Sequence, residues 1–580
     1  MTYTFLKRLP LQLLAMLVII LPTYTFAKQS TIKSASYTAP KKTLTQQKVA
    51  QYIQKKRNLR LLPPCPPAPG VPAAAPVPTQ NGLAPAVTFF PNNGVFNSAA
   101  AAPQIIGVNF SAGSLATFPS YLSTVPGTMG VAGPSQFVMG INNGLVSFDK
   151  DENRDGFLDT ENASFLDLDG DFSLFISAVN PHLRYDKFSD RYYYTIANFD
   201  NAGSTFPNGL SIAVSDSGTL SNATTWTVVN IFNNSVIPDS IGCGGDQNQF
   251  FDYAPMAIDQ NAIYVSFNVF FQASDLFTSN TVFVIQKESL LQDGPVFTTA
   301  FYDVTGYPGS LLPTNPIRQA TSTLTPVDNF DVNPEFGYLI GQSPTQFGAL
   351  VLYRVNNPGS TSPTLSSDIP LDVPTTGSNL LLQVPFQGNL FGTLGELGNI
   401  DDRIIQAHIR NNQLYAVHTI PVTSAGVGSP SGDRYGQRWY QIDVTAGSPT
   451  LVQAGTLWDA SPNNTLHYIF GSIMTNARGD LAISGTVAGP TIAPSAFVVG
   501  RLTSDSLGTL RVGAVINDII YAQGQGTFSH YLGTAIGGGQ RWGNYSNMSL
   551  DPEDDSTMWT IQQVTDNGLY KLAVAQLLAP

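Results

Sequence analysis

Charge is scarce in this chain of 580 residues, and one sign is missing from its first quarter. Charged residues make up 12% of the sequence, about half the share usual for a soluble domain. No Asp or Glu precedes Asp149, so all 40 acidic residues lie from there onward. Of the 28 Lys and Arg, 11 fall in the first 60 residues, which leaves 17 basic against 40 acidic residues in the body, a net of −23. A body of that sign is excluded as a nucleic-acid binder, because phosphate contacts need clustered cations. The acidity itself reads as a solvated surface that favours solubility. Cysteine is nearly absent: Cys65 and Cys243 stand alone, too few and too far apart for a structural zinc site. Either they pair, stapling the N-terminal region to the body, or both stay free thiols.

Long apolar runs are absent after Leu21, so nothing in the mature chain reads as a transmembrane segment. The run before it, residues 11–21 (LQLLAMLVIIL), follows Lys7 and Arg8 and precedes Thr25-Phe26-Ala27. A basic start, a short apolar stretch and small residues at the cleavage positions make residues 1–27 a signal peptide cut after Ala27. The run is short of the roughly 20 residues that a membrane anchor needs. The mature protein is therefore expected to be secreted: extracellular, periplasmic or on the cell surface.

Motifs of familiar enzymes are missing too. There is no G-x-S-x-G elbow, Walker loop, H-E-x-x-H helix or dinucleotide fingerprint. An active site assembled from single residues on many elements would leave no such trace. The five histidines (His182, His408, His418, His467 and His530) lack close metal-ligand spacing, apart from His408 and His418, which straddle a turn. Each is expected to be packed or hydrogen-bonded.

What is plentiful is glycine, at 51, and proline, at 41, the profile of short strands joined by turns. Residues 28–42 are polar and basic and read as disordered. From Thr43, the row TLTQQKVAQYIQKKRNLRLL reads as a short amphipathic helix within a basic arm over residues 28–62. That helix either docks on the acidic body or binds an anionic surface. Residues 63–85 form a Pro/Ala-rich linker, extended and semi-rigid, and residues 86–580 form the β domain.

In that domain one unit recurs: an apolar strand, a turn, and a second apolar strand with a polar end. It is seen near residues 137, 192, 263, 338, 414, 481 and 558. Intervals of about 55 to 77 residues predict an all-β repeat array, a β-propeller of about seven four-stranded blades, with six as the other count. The ring is expected to close by early strands such as residues 86–90 (AVTFF) completing the last sheet. Two β-sandwiches in tandem are the competing architecture, but they leave the common spacing unexplained. A monomer is expected.

The sharpest local motif begins at Asp151. Asp151, Asn153 and Asp155 take the first, third and fifth positions of an EF-hand-like loop, Gly156 the sharp turn, Phe157 the carbonyl position and Asp159 the ninth. Asn162 stands where a bidentate Glu would complete the set. This predicts a structural Ca2+ site, against an acidic solvated hairpin; Asp167, Asp169 and Asp171 could add a ligand. Ser215-Asp216-Ser217-Gly218-Thr219 with Trp226, and Ser504 to Thr509, resemble the Asp-box turns of sialidase-type propellers, which brace architecture and carry no chemistry.

Longer segments add to that resemblance: residues 180–196 (NPHLRYDKFSDRYYYTI), 212–218, 252–270, 401–420 and 541–559 (RWGNYSNMSLDPEDDSTMW). Together they resemble a family of largely uncharacterised secreted bacterial β-propeller proteins of the sialidase-like grouping. The resemblance implies fold and export and no established reaction. The chain departs from the family at Asn544 and Asn180, where Asp is usual. Two functions stay open: a non-catalytic protein binding a glycan or a cell-surface protein, or a glycoside hydrolase or polysaccharide lyase. The second would draw on Arg184, Arg318, Arg403, Arg434, Arg438 and Arg541 with Asp186, Asp401, Asp402 and Asp551 gathered at an axis, since glycosidases need two carboxylates across the scissile bond. No catalytic residue is assigned.

Overall fold

The computed structural model describes residues 32–45, 102–114, 127–142, 144–161, 165–166, 176–200, 209–232, 249–271, 276–302, 304, 323–343, 347–376, 382–398, 401–445, 447–529 and 539–580. Within them the chain is all-β. Seven antiparallel meanders follow one another, and the recurring strand pairs of the sequence are the second and third strands of each.

The first sheet runs Met129–Ala132, Gln136–Ile141, Gly144–Asp149 and Arg154–Glu161. The second is Ile176–Asp186, Arg191–Asp200, Gly209–Ser215 and Thr225–Phe232. The third starts with the short pieces Gln249–Asp252 and Met256–Ile258, and continues with Ala262–Phe271, Leu276–Gln286 and Val296–Tyr302. The fourth comprises Thr325–Asn329, Phe336–Gln342, Ala349–Asn356 and an outer edge formed by Thr364–Leu365 and Ile369–Asp372. The fifth is Ile404–Arg410, Gln413–Val422, Arg434–Asp443 and Thr450–Leu457; the sixth is His467–Thr475, Leu481–Gly489, Ile492–Arg501 and Ile520–Ala522.

The seventh sheet is composite. Asn547–Leu550 pairs with the first part of Met558–Leu578. That long run passes through Asn567 and Gly568, at φ 48° and 98°, the left-handed pair of a two-residue hairpin turn. Its last part pairs antiparallel with Ile105–Ser114, from Ile105 opposite Leu578 to Ser114 opposite Lys571. An early strand does complete the final sheet, but it is residues 105–114; residues 86–90 lie outside the described residues.

The first strands are neighbours in chain order. Met129–Ala132 lies beside Ile176–Asp186, and so on round to Asn547–Leu550, which lies beside Met129–Ala132. Each sheet is thus covered on both faces, which explains why its strands read as near-continuous apolar runs. Tyr192, Tyr194 and Ile196 pack with Val131, Val138 and Leu145 on one side of the second sheet. Tyr193 and Ala197 pack with Val265 and Phe283 on the other.

The N-terminal arm departs from its sequence reading. Residues expected as a disordered tail and a helix start form two strands, Lys33–Ala39 and Lys42–Thr45. The first pairs antiparallel with Val296–Tyr302, the outer strand of the third sheet. The second pairs with residues 225–228, the outer strand of the second. Alternation explains the first: Ala35, Tyr37 and Ala39 turn inward while Ser34, Ser36 and Thr38 face solvent. Open sheet edges need covering, and this segment covers two of them. The remainder of the expected helix, the linker, both cysteines and the signal segment lie outside the described residues. No helix among the described residues is long and apolar enough to cross a membrane.

Candidate functional site

Several first strands end at turns held by their own side chains. Asp186 accepts N–H bonds from Phe188 and Ser189, Asp259 from Asn261 and Ala262, Asn476 from Arg478 and Asp480, and Asp551 from Glu553. Six residues before the turns that begin at Gly133, Asp186, Asp259 and Asn476 stand Gly127, Asn180, Tyr253 and Phe470. All four take a left-handed backbone, with φ of 54°, 56°, 52° and 53°. Glycine and asparagine tolerate this conformation, whereas an aromatic residue there is strained by about 1–3 kcal/mol. Tyr253 and Phe470 therefore mark the strand-start end of the axis as the place to look for a site.

That end holds a linked polar cluster. The Asn142 side-chain oxygen, at the end of a second strand, accepts the Asn180 N–H at 2.9 Å. Asn180 Nδ2 donates to Asp252 Oδ1 at 3.1 Å, crossing from the second sheet to the third. Beside Asp252, the ring of Tyr253 lies under the Arg403 guanidinium, 4.2 Å from its carbon to the ring centroid. Arg403 Nε donates to Asp401 Oδ1 at 2.6 Å, and a second nitrogen reaches the other oxygen. Burial works against the Arg403 charge, but Asp401 outweighs it and holds the pKa above its ordinary value. Burial raises Tyr253 to about 12. Asp402 is pushed up to about 7, first by burial and then by Asp401, with a hydrogen bond from Gln342 partly offsetting both.

The floor beneath is filled. Tyr545 stacks on His182 with ring centroids 4.7 Å apart and meets Tyr253 edge-on at 5.9 Å. Its hydroxyl donates to the Pro181 carbonyl at 3.1 Å. Below these rings, Arg184 pairs with Asp328 at 2.8 Å and donates to the Met256 carbonyl. The polar cluster, called the mouth for its place at the strand-start end, thus sits over packed rings.

The other candidate arginines do not join it. Arg184 is the cross-sheet tie just described. Arg434 pairs with Asp433 and donates to the carbonyls of Asp459 and Ser461. Arg438 is buried against Thr456 and the Pro374 carbonyl, and Arg541 donates to Asn544 at 3.2 Å. Arg318 and His530 lie outside the described residues. Of the candidate acids, Asp401 and Asp402 are at the mouth. Asp186 pairs with Lys287, and Asp551 with Lys150, both at the opposite end and both at 2.8 Å.

No protein-family model matches the chain, and no curated protein matches it. Solved structures similar to it include a Trypanosoma rangeli sialidase, at 10% identity and a TM-score of 0.30, over 69% of this chain and 55% of that one. The aligned part thus spans little more than half of that sialidase. A Hadza microbial sialidase is similar at 8% identity and a TM-score of 0.34, over 76% of this chain and 73% of that one. A protein of unknown function from Dyadobacter fermentans is similar at 11% identity and 0.32, over 70% and 95%.

The calcium-like segment is a hairpin followed by a strand. Asp149 caps the turn, accepting the N–H groups of Asp151 and Asn153 and the Asn153 side-chain amide. Asp155 bonds Ser147 and the Phe157 N–H, and Asp159 lies 3.7 Å from Arg154. Asp155, Phe157 and Asp159 thus alternate along Arg154–Glu161. Among the described residues no three His, Cys, Asp or Glu side chains come together as a metal site; Asn162, Asp167, Asp169 and Asp171 lie outside them.

Both Asp-box-like segments close a third-to-fourth-strand turn. Asp216 accepts the Thr225 hydroxyl at 2.6 Å; Asp505 accepts the Leu502 N–H and pairs with Arg511. His408 bonds the Thr475 hydroxyl, and His418 bonds the Asp402 carbonyl and the Tyr440 hydroxyl, so these two do not form a metal pair. Sequence reasoning missed Asn142, Asp252, Tyr253 and Tyr545. They come from three different sheets, so no spacing along the chain announces their convergence, and the backbones of Tyr253 and Phe470 mark the place.

Proposed function

We propose that the protein is an exported seven-bladed propeller, closed by residues 105–114, that binds a neutral glycan at its axial mouth without cleaving it. The neutralised Arg403 carries this reading. Its charge is spent on Asp401, with Asp252 close by, so the mouth has more acid than base and disfavours a sugar carboxylate. Carboxylates accept and Arg and Asn N–H groups donate, a mixture that suits vicinal sugar hydroxyls. Asp402, the one acid here pushed to about 7, is 7% exposed, too enclosed to protonate a leaving group directly.

That same raised pKa, which keeps a proton on Asp402 beside Asp401, supports the second reading, a glycoside hydrolase with Asp402 as acid after the mouth rearranges. A glycan array with neutral and sialylated members, paired with a fluorogenic glycoside panel, separates the two. Binding without cleavage, reduced at least tenfold by Tyr253→Ala, is the expected result. Turnover lost in Asp402→Asn would establish the second reading instead. A structural Ca2+ ion on Asp151, Asn153, Asp155, Phe157 and Asp159 remains a separate proposal, for which chelator is the test.

A further inference from the structure

The strap, residues 33–45, is held by the body but not built into it. Lys33–Ala39 forms main-chain pairs along the third sheet from Lys33 opposite Tyr302 to Ala39 opposite Val296. Lys42–Thr45 does the same on the second sheet. Recognition is therefore mostly through backbone hydrogen bonds, with Ala35, Tyr37 and Ala39 at the inward positions and Tyr37 half-buried against the core. The hold is light: of the side chains described over residues 34–43, Ala39 alone is fully buried. Lys41 adds a bond from its ammonium to the Gln292 carbonyl.

A stretch of 56 residues separates the strap from residue 102. Extended, it reaches about 180 Å, whereas a folded chain of this length has a radius of gyration of about 25 Å. The edges of a neighbouring copy are within the same reach as the strap's own. Without an occupant, Val296–Tyr302 and Thr225–Phe232 would present two adjacent unpaired edges, which folded proteins avoid.

We propose that the outer edges of the second and third sheets, paired with residues 33–45 of their own chain in this structure, take up residues 33–45 of a second copy when copies are crowded. Exchange reproduces the same pairs, so the choice is set by concentration. A tether of this length gives an effective concentration of about 1 mM or below. Dilute protein is then a closed monomer, and crowded copies exchange straps.

Thr38 and Phe297 are paired across the strap and both exposed, which makes them suited to crosslinking. In the full mature chain with Cys65 and Cys243 changed to Ser, Thr38→Cys and Phe297→Cys are made together and separately, and a short bis-maleimide is added. The double variant should crosslink within one chain. An equal mixture of the single variants, equilibrated before crosslinking, should give a dimer whose fraction rises about tenfold from 0.01 to 0.1 mM. Adding Tyr37→Pro, which removes a paired N–H, should reduce both products. No mixed dimer at 1 mM, with the double variant still crosslinking internally, would overturn exchange. Failure of the double variant to crosslink, in chains whose melting is cooperative, would overturn the docking surface itself.

Discussion

The two ends of the axis are built to opposite rules. Where first strands end, turn acids accept the N–H groups of their own turns, and ion pairs join sheet to sheet: Lys287 to Asp186, Lys150 to Asp551 and Arg410 to Asp555. Where first strands begin, Tyr253 and Phe470 hold left-handed backbones, and one buried oxygen of Asp402 has no hydrogen-bond partner. The first end joins neighbouring sheets, and its polar groups serve stability. The second stores backbone strain at two aromatic residues, as functional sites commonly do.

Breaking the tied end should have the largest effect. Lys287→Met leaves Asp186 buried without its cation and should cost about 3–5 kcal/mol in denaturant unfolding. Glycan binding at the mouth should survive in the folded fraction. A loss under 1 kcal/mol would remove the contrast between the ends.

At the mouth the sign reverses. The folded-state pKa of Asp402 is raised to about 7, so its protonated form favours folding, and that stability is lost as pH rises from about 4 through 7. Asp402→Asn should therefore be more stable than the parent by up to about 4 kcal/mol at pH 8, with the gain vanishing towards pH 4. Histidines run the other way. Burial lowers His408 and His418 to about 3 and His467 to about 4. Their stability is present above about pH 6.5 and is lost as pH falls towards 4. The parent should accordingly lose stability on acidification to pH 4, and replacing His408 with Gln should flatten that slope.

Smaller effects belong to the periphery. Asp505→Ala removes a turn brace and its Arg511 pair, and should cost about 1 kcal/mol. Chelator should change the melting temperature least, since Asp149 already satisfies the turn at Asp151 and Asn153. A large drop that Asp151→Ala abolishes would place Ca2+ at the calcium-like loop.

Much of the fold was legible because each sheet buries two apolar faces, so pairs such as 191–200 with 209–215 stand out as runs. The strap was not, because its inward residues are Ala, Tyr and Ala and its outward ones Ser and Thr, too weak an alternation to outweigh its basic flanks. The sequence points to AVTFF as the closing strand because its apolar run outshines residues 105–114, which form it. At the site, Asp401, Asp402 and Arg403 were legible as charges. Arg184, one of six candidate arginines for the hydrolase reading, is an internal tie to Asp328. Asn142, Asn180, Asp252 and Tyr253 meet only through cross-sheet geometry, which no spacing along the chain encodes.

The central claim is that a neutralised Arg403 makes the mouth a receptor for neutral glycans. Glycan-array binding of the parent beside Asp401→Asn tests it most directly. The parent should prefer neutral over sialylated glycans, and Asp401→Asn, by freeing the guanidinium, should shift the preference at least tenfold towards sialylated ones. An unchanged preference, or a parent that already favours sialylated glycans, would contradict it.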